Sequence, residues 1–153
     1  MSDKILKPLG FETDLTNPVT LNSRLLRIYN PTGAVSVISI ARNTSGTANL
    51  VSGSAVLEGT GTSFATEFVN GDAVVLMSNN DGFNQKAIIN VVANNDYMNL
   101  TTTLTYSNTA GVIQKVYANC TILAAGDQLI KKESNETISA THNALGCAVA
   151  YTN

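Results

Sequence analysis

QKAIINVVANNDYMNLTTTL, residues 85–104, decides the fold. Ala87, Ile89, Val91 and Ala93 recur every second position, and beyond a polar break Met98, Leu100 and Leu104 share the even positions that fall on one side. That period puts each set on one face of a strand, and Asn94-Asn95-Asp96 between them carries the chemistry of a hairpin turn. A one-residue slip would turn every apolar side chain to water, so the register is strongly specified.

Working outward, the same grammar repeats. Short apolar runs stand at 24–30, 34–41, 48–58, 72–78, 111–123, 127–133 and 146–151. Turn chemistry separates them: NPTG (30–33), NTSG (43–46), GTGTS (59–63), NNDG (79–82), SNTAG (107–111) and AAGD (124–127). Apolar stripes of helical period are absent, so the spacing predicts an antiparallel all-β sandwich or small barrel, not βαβ units. DAVVLMS and AVSVISIA do not alternate and predict strands covered on both faces. Val116, Ala118, Cys120 and Ile122 form a further inward row. Gly-Asp at 71–72 and at 126–127 reads as one turn device: a glycine at positive φ, then an aspartate accepting from nearby backbone N–H groups.

The chain has 153 residues, 44% hydrophobic and 13% charged, with a net charge of -2. That composition supports a packed core and argues against disorder. Basic residues are scattered except at Lys131-Lys132, which disfavours a nucleic-acid partner. No apolar run reaches the length of a membrane span and no signal-type h-region opens the chain, so neither a membrane nor export is expected. Cys120 and Cys147 lie in apolar stretches and read as free, buried thiols. Residues 1–18, interrupted by Pro8 and Pro18, read either as an extended N-terminal arm that crosses a surface or as a partly disordered terminus.

Chemistry is harder to find. His142 stands alone, too few ligands for zinc, and reads as a loop residue. GTGTS lacks the Lys-Ser/Thr ending of a phosphate loop. NNDG has no downstream glutamate at calcium-loop spacing. Glu58, Glu67, Asp72, Asp81 and Asp96 could pair for glycosidic chemistry, yet the chain has no Trp to line a sugar cleft. They read as turn carboxylates, and the four N-x-S/T sequons as coincidence in an Asn- and Thr-rich chain. No catalytic residue, metal or cofactor is expected. In LEGTGTSFATEFVNGDAVVL (57–76), Gly59, Gly61 and Gly71 turn the chain, Phe64 and Phe68 plug a core, and Asp72 opens the next strand.

Two likenesses point to a place of work. SGSAVLEGTGTSFATEFVNGDAVVLMS followed by QKAIINVVANNDYMNLTTTLTYSNTAGV resembles a small β module of tailed-bacteriophage virion proteins, with its G-T-G-T-x-F corner and Gly-Asp strand entry. RLLRIYNPTGAVSVISIAR, TILAAGDQLIKKESNETISA and LGCAVAYTN resemble small β-sandwich proteins that decorate phage heads, where N-x-T-G ends a strand and Glu136-Thr137-Ile138 fits a D/E-T-[IL] pattern. The resemblance implies a β-sandwich base domain (19–43 and 115–153) carrying an inserted barrel-like lobe (44–114). It implies a capsid decoration, or cement, protein, not an enzyme, assembled in the host cytoplasm onto the virion surface. Its partners would be the major capsid protein and neighbouring copies of itself, as a homotrimer or other homo-oligomer. Ile5, Leu6, Pro8, Leu9 and Phe11 of the arm would touch the capsid. The alternative is a neck, tail or fibre component contacting host surface glycans; an envelope hydrolase stands third.

Overall fold

The structure is a computed structural model, described here for residues 7–12, 15–20, 24–77, 84–141 and 148–152. It is built almost wholly of antiparallel strands: β1 (Lys7–Glu12), β2 (Leu25–Tyr29), β3 (Ser36–Leu50), β4 (Val56–Thr60), β5 (Ala73–Met77), β6 (Asn84–Val92), β7 (Tyr97–Leu100), β8 (Asn108–Ile122), β9 (Asp127–Lys131), β10 (Thr137–Ala140) and β11 (Ala148–Thr152). Among the described residues the one helix, α1 (Phe64–Glu67), is a single turn. Two compact units result: residues 1–40 with 118–153, and residues 41–117.

The first unit is a sandwich. One layer runs in the order β1-β11-β2-β9; the other contains β10, the start of β3 and the end of β8. Leu26 and Ile28 of β2 and Ile130 of β9 pack against Ile38, Ile40, Ile122, Ile138 and Ala140, with Leu15 beside them, in one buried cluster. Each large aliphatic buried there contributes about 1.5–3 kcal/mol before conformational entropy is charged. Asn30 explains why a strand ends in N-x-T-G. Fully buried, its amide donates to the Ala34, Ile122 and Leu123 carbonyls at 2.8, 3.3 and 3.2 Å, and its oxygen accepts from the Thr32 N–H and hydroxyl. Glu136 plays a like part: its Oε1 accepts the Glu133 N–H at 2.7 Å while its own N–H donates to the Glu133 carbonyl, closing the turn between β9 and β10.

The second unit is a ring. Its strands run β3-β4-β7-β6-β5-β8, and β8 pairs again with β3, so the sheet closes on itself. Inside lie Leu50, Leu57, Phe64, Phe68, Val74, Leu76, Ile89, Met98, Leu100, Leu104 and Ile113. Closure removes the unpaired edge that an open sheet of this size would present.

Several expectations are corrected. The NTSG segment is not a turn: β3 runs through it without a break, because Thr44 Oγ1 donates to the Ile113 carbonyl and Ser45 bonds Glu67 from within the strand. The boundaries of the second unit accordingly fall inside β3 and β8, at 41 and 117, and not at the expected 44 and 114. The 48–58 run is broken instead at Val51-Ser52-Gly53-Ser54, where Gly53 has φ +82. In the 85–104 hairpin a bulge between Ile89 and Val91 shifts the register. Ala87 and Ile89 stay inside, but Val91 and Ala93 turn to solvent and Val92 packs on the core instead. In AVSVISIA, Ser36, Ile38, Ser39, Ile40 and Ala41 are buried and Val37 is half-buried, so the strand is covered on both faces as expected, while Val35 just before it is 46% exposed. In β5, Val74, Val75 and Leu76 are all buried.

The N-terminal arm is also corrected. Lys7–Glu12 is a strand of the molecule's own sheet, paired with β11. Its pairing is irregular between Pro8 and Gly10, and it lies at the sheet edge, the place where a residue without an N–H is tolerated. Farther along, Leu15 is buried and Val19 bridges Ile138 of β10.

Candidate functional site

The richest meeting of polar groups is the corner between β4 and β5, in the second unit. Gly61 has φ +66, in the left-handed region that lets the chain reverse after β4. Gly59 serves differently than expected. Its φ is ordinary, but a Cβ there would run into the Thr62 side chain, whose hydroxyl donates to the Asn95 carbonyl at 2.7 Å. The Gly59 N–H donates to the Asp96 carbonyl at 2.7 Å and the Phe64 N–H to the Asn95 carbonyl at 3.2 Å, so the corner is laced to the 94–96 hairpin turn. That turn is shaped by Asn94, whose side-chain oxygen accepts from the Asp96 and Tyr97 N–H groups.

Beneath the lacing, Phe64 and Phe68 meet edge to face with centroids 5.9 Å apart, and they are 0% and 3% exposed. Gly71, at φ +92, closes the next turn, and Asp72 Oδ2 accepts the Val69 N–H at 2.9 Å. The same oxygen lies 3.2 Å from Lys115 Nζ, which also donates to the Glu67 carbonyl at 2.8 Å and sits over the Phe68 ring. Glu67 in turn accepts from the N–H and hydroxyl of Ser45. Lys115 therefore ties α1, β5 and β8 together at a half-buried position, where an ion pair is screened less than at the surface.

Beside Lys115 opens a recess of about 450 Å³, lined by Arg42, Asn43, Thr44, Glu67, Lys115, Val116 and Tyr117. The Arg42 guanidinium stacks on the Tyr117 ring at 4.5 Å, and Gln114 donates to Asn43 Oδ1 at 2.8 Å. Val116, expected to face a core, lines this recess instead. The arrangement brings together charges and a ring, groups suited to holding a polar surface. Sequence reading missed Arg42, Lys115 and Tyr117, since only the pairing of β3 with β8 makes them neighbours.

The carboxylates considered for acid/base work are placed apart. Glu58 accepts the Tyr97 hydroxyl at 3.0 Å; Glu67 and Asp72 are engaged as described; Asp96 is exposed; Asp81 lies outside the described residues. The hydrogen bond to Glu58, aided by its charge, pushes the Tyr97 phenol above its ordinary value. Glu58→Gln is expected to bring the Tyr97 titration down toward about 10, followed at its ring carbons by NMR. A titration that does not move would mean the bond is not kept in solution. Burial pushes Lys86 below the usual lysine value, and does so at Lys132 against the opposing pull of Glu136 and Glu133.

Of the proposed contact residues, Ile5 and Leu6 lie outside the described residues, and Pro8, Leu9 and Phe11 lie on β1, whose backbone is committed to β11. His142 and Cys147 also lie outside them. Cys120 is a free thiol, only part-buried where a buried one was expected. The shared Gly-Asp device holds at 71–72 but not at 126–127. There Ala125 takes the positive φ, 58°, and Asp127 binds the Arg27 guanidinium at 2.6 and 3.1 Å. Among the described residues no three His, Cys, Asp or Glu side chains are grouped to hold a metal, and no helix is long and apolar enough to cross a membrane. Comparison with protein-family models, with curated proteins and with solved structures gave no match to this chain.

Proposed function

We propose that the chain is a structural protein of a tailed-phage particle, a decoration protein that binds the lattice of major capsid proteins and cements the head. One observation carries the reading. The motifs behind the likeness to virion proteins are spent on architecture: the G-T-G-T-x-F corner is laced onto the hairpin of a closed ring, and N-x-T-G pins the sandwich through Asn30. Two small cores held by such corners suit a protein whose work is to be gripped in a shell, where neighbours add stability by mass action. The sandwich also exposes Val35 by 46%, Leu123 by 67% and Leu129 by 59%, apolar surface that a neighbour can cover.

The test uses heads lacking the protein. Adding the purified chain is expected to raise the temperature at which those heads release DNA, and cryo-EM of the reconstituted particles is expected to show many copies over the capsomers. Density at a single vertex would move the protein to the neck or tail. Unchanged heat resistance of fully decorated heads would end the cementing role.

A further inference from the structure

A sheet edge presents unpaired N–H and C=O groups, and folded chains normally disarm it. Most edges here are disarmed. The ring of the second unit closes on itself. In the sandwich, β10 is covered by the 15–19 segment, through the Val19–Ile138 bridge and the bond from the Ala140 N–H to the Leu15 carbonyl. The end of β8 has its Ile122 and Leu123 carbonyls taken by the Asn30 amide. At one border of the four-stranded layer, β1 carries Pro8 and an irregular register. At the other border, β9 has no proline, no bulge and, among the described residues, no strand beyond it.

The direction of its free groups can be read from its pairing with β2. The Lys132 N–H donates to the Arg24 carbonyl at 3.0 Å and the Asn30 N–H to the Gly126 carbonyl at 2.9 Å. In that register the even-numbered residues of β9 bond to β2, so Asp127, Leu129 and Lys131 present their N–H and C=O groups outward. The side chains of these three residues are exposed, on the face opposite buried Ile130.

DQLIK is complementary to itself when reversed. We infer that β9 is a dimerisation edge, on which a second copy of this chain pairs its own β9 antiparallel across a two-fold axis through Leu129. This register alone matches all three outward residues to outward residues: Leu129 meets Leu129, and Asp127 meets Lys131 at both ends. Each such pair exchanges two backbone bonds, and opposite charges face each other on the exposed side. Arg27 occupies Oδ2 of Asp127, which leaves Oδ1 for Lys131 of the second copy. A shift by two residues one way sets Asp127 against Glu133; the other way sets Lys131 against Ala125 in the turn. The self-matching contact is isologous and closes at two copies, so it does not propagate into fibres.

The inference stands apart from the capsid reading, since it concerns the free protein. Sedimentation velocity between about 1 and about 100 µM is expected to show a monomer giving way to a dimer. Over that range the Asp127, Leu129 and Lys131 amides of the wild type should exchange more slowly with rising concentration, while those of Gln128 and Ile130 stay constant. Lys131→Glu and Asp127→Lys, each alone, set like charges opposite one another and should weaken dimerisation by about tenfold or more. Mixed, the two variants regain complementary pairs and should associate with each other. A wild type monomeric at the highest concentration, a single variant that dimerises as tightly as wild type, or a mixture that gains nothing would each overturn it.

Discussion

Phe64→Ala is expected to destabilise the chain by about 3–5 kcal/mol. Its ring is fully buried, meets Phe68 edge to face, and stands among Leu57, Met98 and Ile113 inside a sheet closed on itself. A closed ring cannot collapse onto the gap as a two-layer sandwich can, so the residual cavity keeps most of its cost. Against a typical total of about 5–15 kcal/mol, such a loss leaves little margin. Urea denaturation read through the second unit measures it, with Val69→Ala, at a site 65% exposed, expected to shift stability by less than about 0.5 kcal/mol. A midpoint for Phe64→Ala close to that of Val69→Ala would mean the ring does not close around the phenylalanine.

Gly46→Ala carries the second large effect, from backbone and not from packing. Gly46 sits within β3 at φ +70, and a Cβ there would stand 2.5 Å from the Thr60 carbonyl oxygen and 2.6 Å from the Gly61 carbonyl group. Those are main-chain atoms of the opposing corner, which cannot rotate aside. Gly53→Ala is the natural control: φ is +82, but nothing lies within 4 Å. The control should cost about 1–2 kcal/mol, the left-handed penalty alone, and Gly46→Ala clearly more. Equal melting temperatures for the two variants would show that the approach of Gly46 to the corner is looser in solution.

Much of this architecture was legible in the sequence because its signals are local. Alternation placed Met98, Leu100 and Leu104 inside, and Asn94-Asn95-Asp96 announced its own turn. What stayed hidden depends on residues distant in the chain. NTSG looks like a turn until Ile113 and Glu67 arrive to satisfy Thr44 and Ser45 in an extended strand. The bulge that reverses Val91 and Val92 has no sequence mark, and β1 is a strand only because β11 offers it an edge. The Arg42, Lys115 and Tyr117 recess is invisible for the same reason, being made by the pairing of β3 with β8.

The split of the sandwich into residues 1–40 and 118–153 also sets an order of events during synthesis. A ribosome delivers the N-terminal half first, with Leu26, Ile28, Ile38 and Ile40 still lacking the Ile122, Ile130 and Ile138 that cover them. The ring, contained in 41–117, is complete in the nascent chain before that cover emerges. Vectorial synthesis thus lets the inserted unit be complete before the sandwich that flanks it in sequence can close. Within the sandwich, residues 24–41 wait for cover while the whole inserted unit is made, which makes them the segment that chaperones and aggregation compete for.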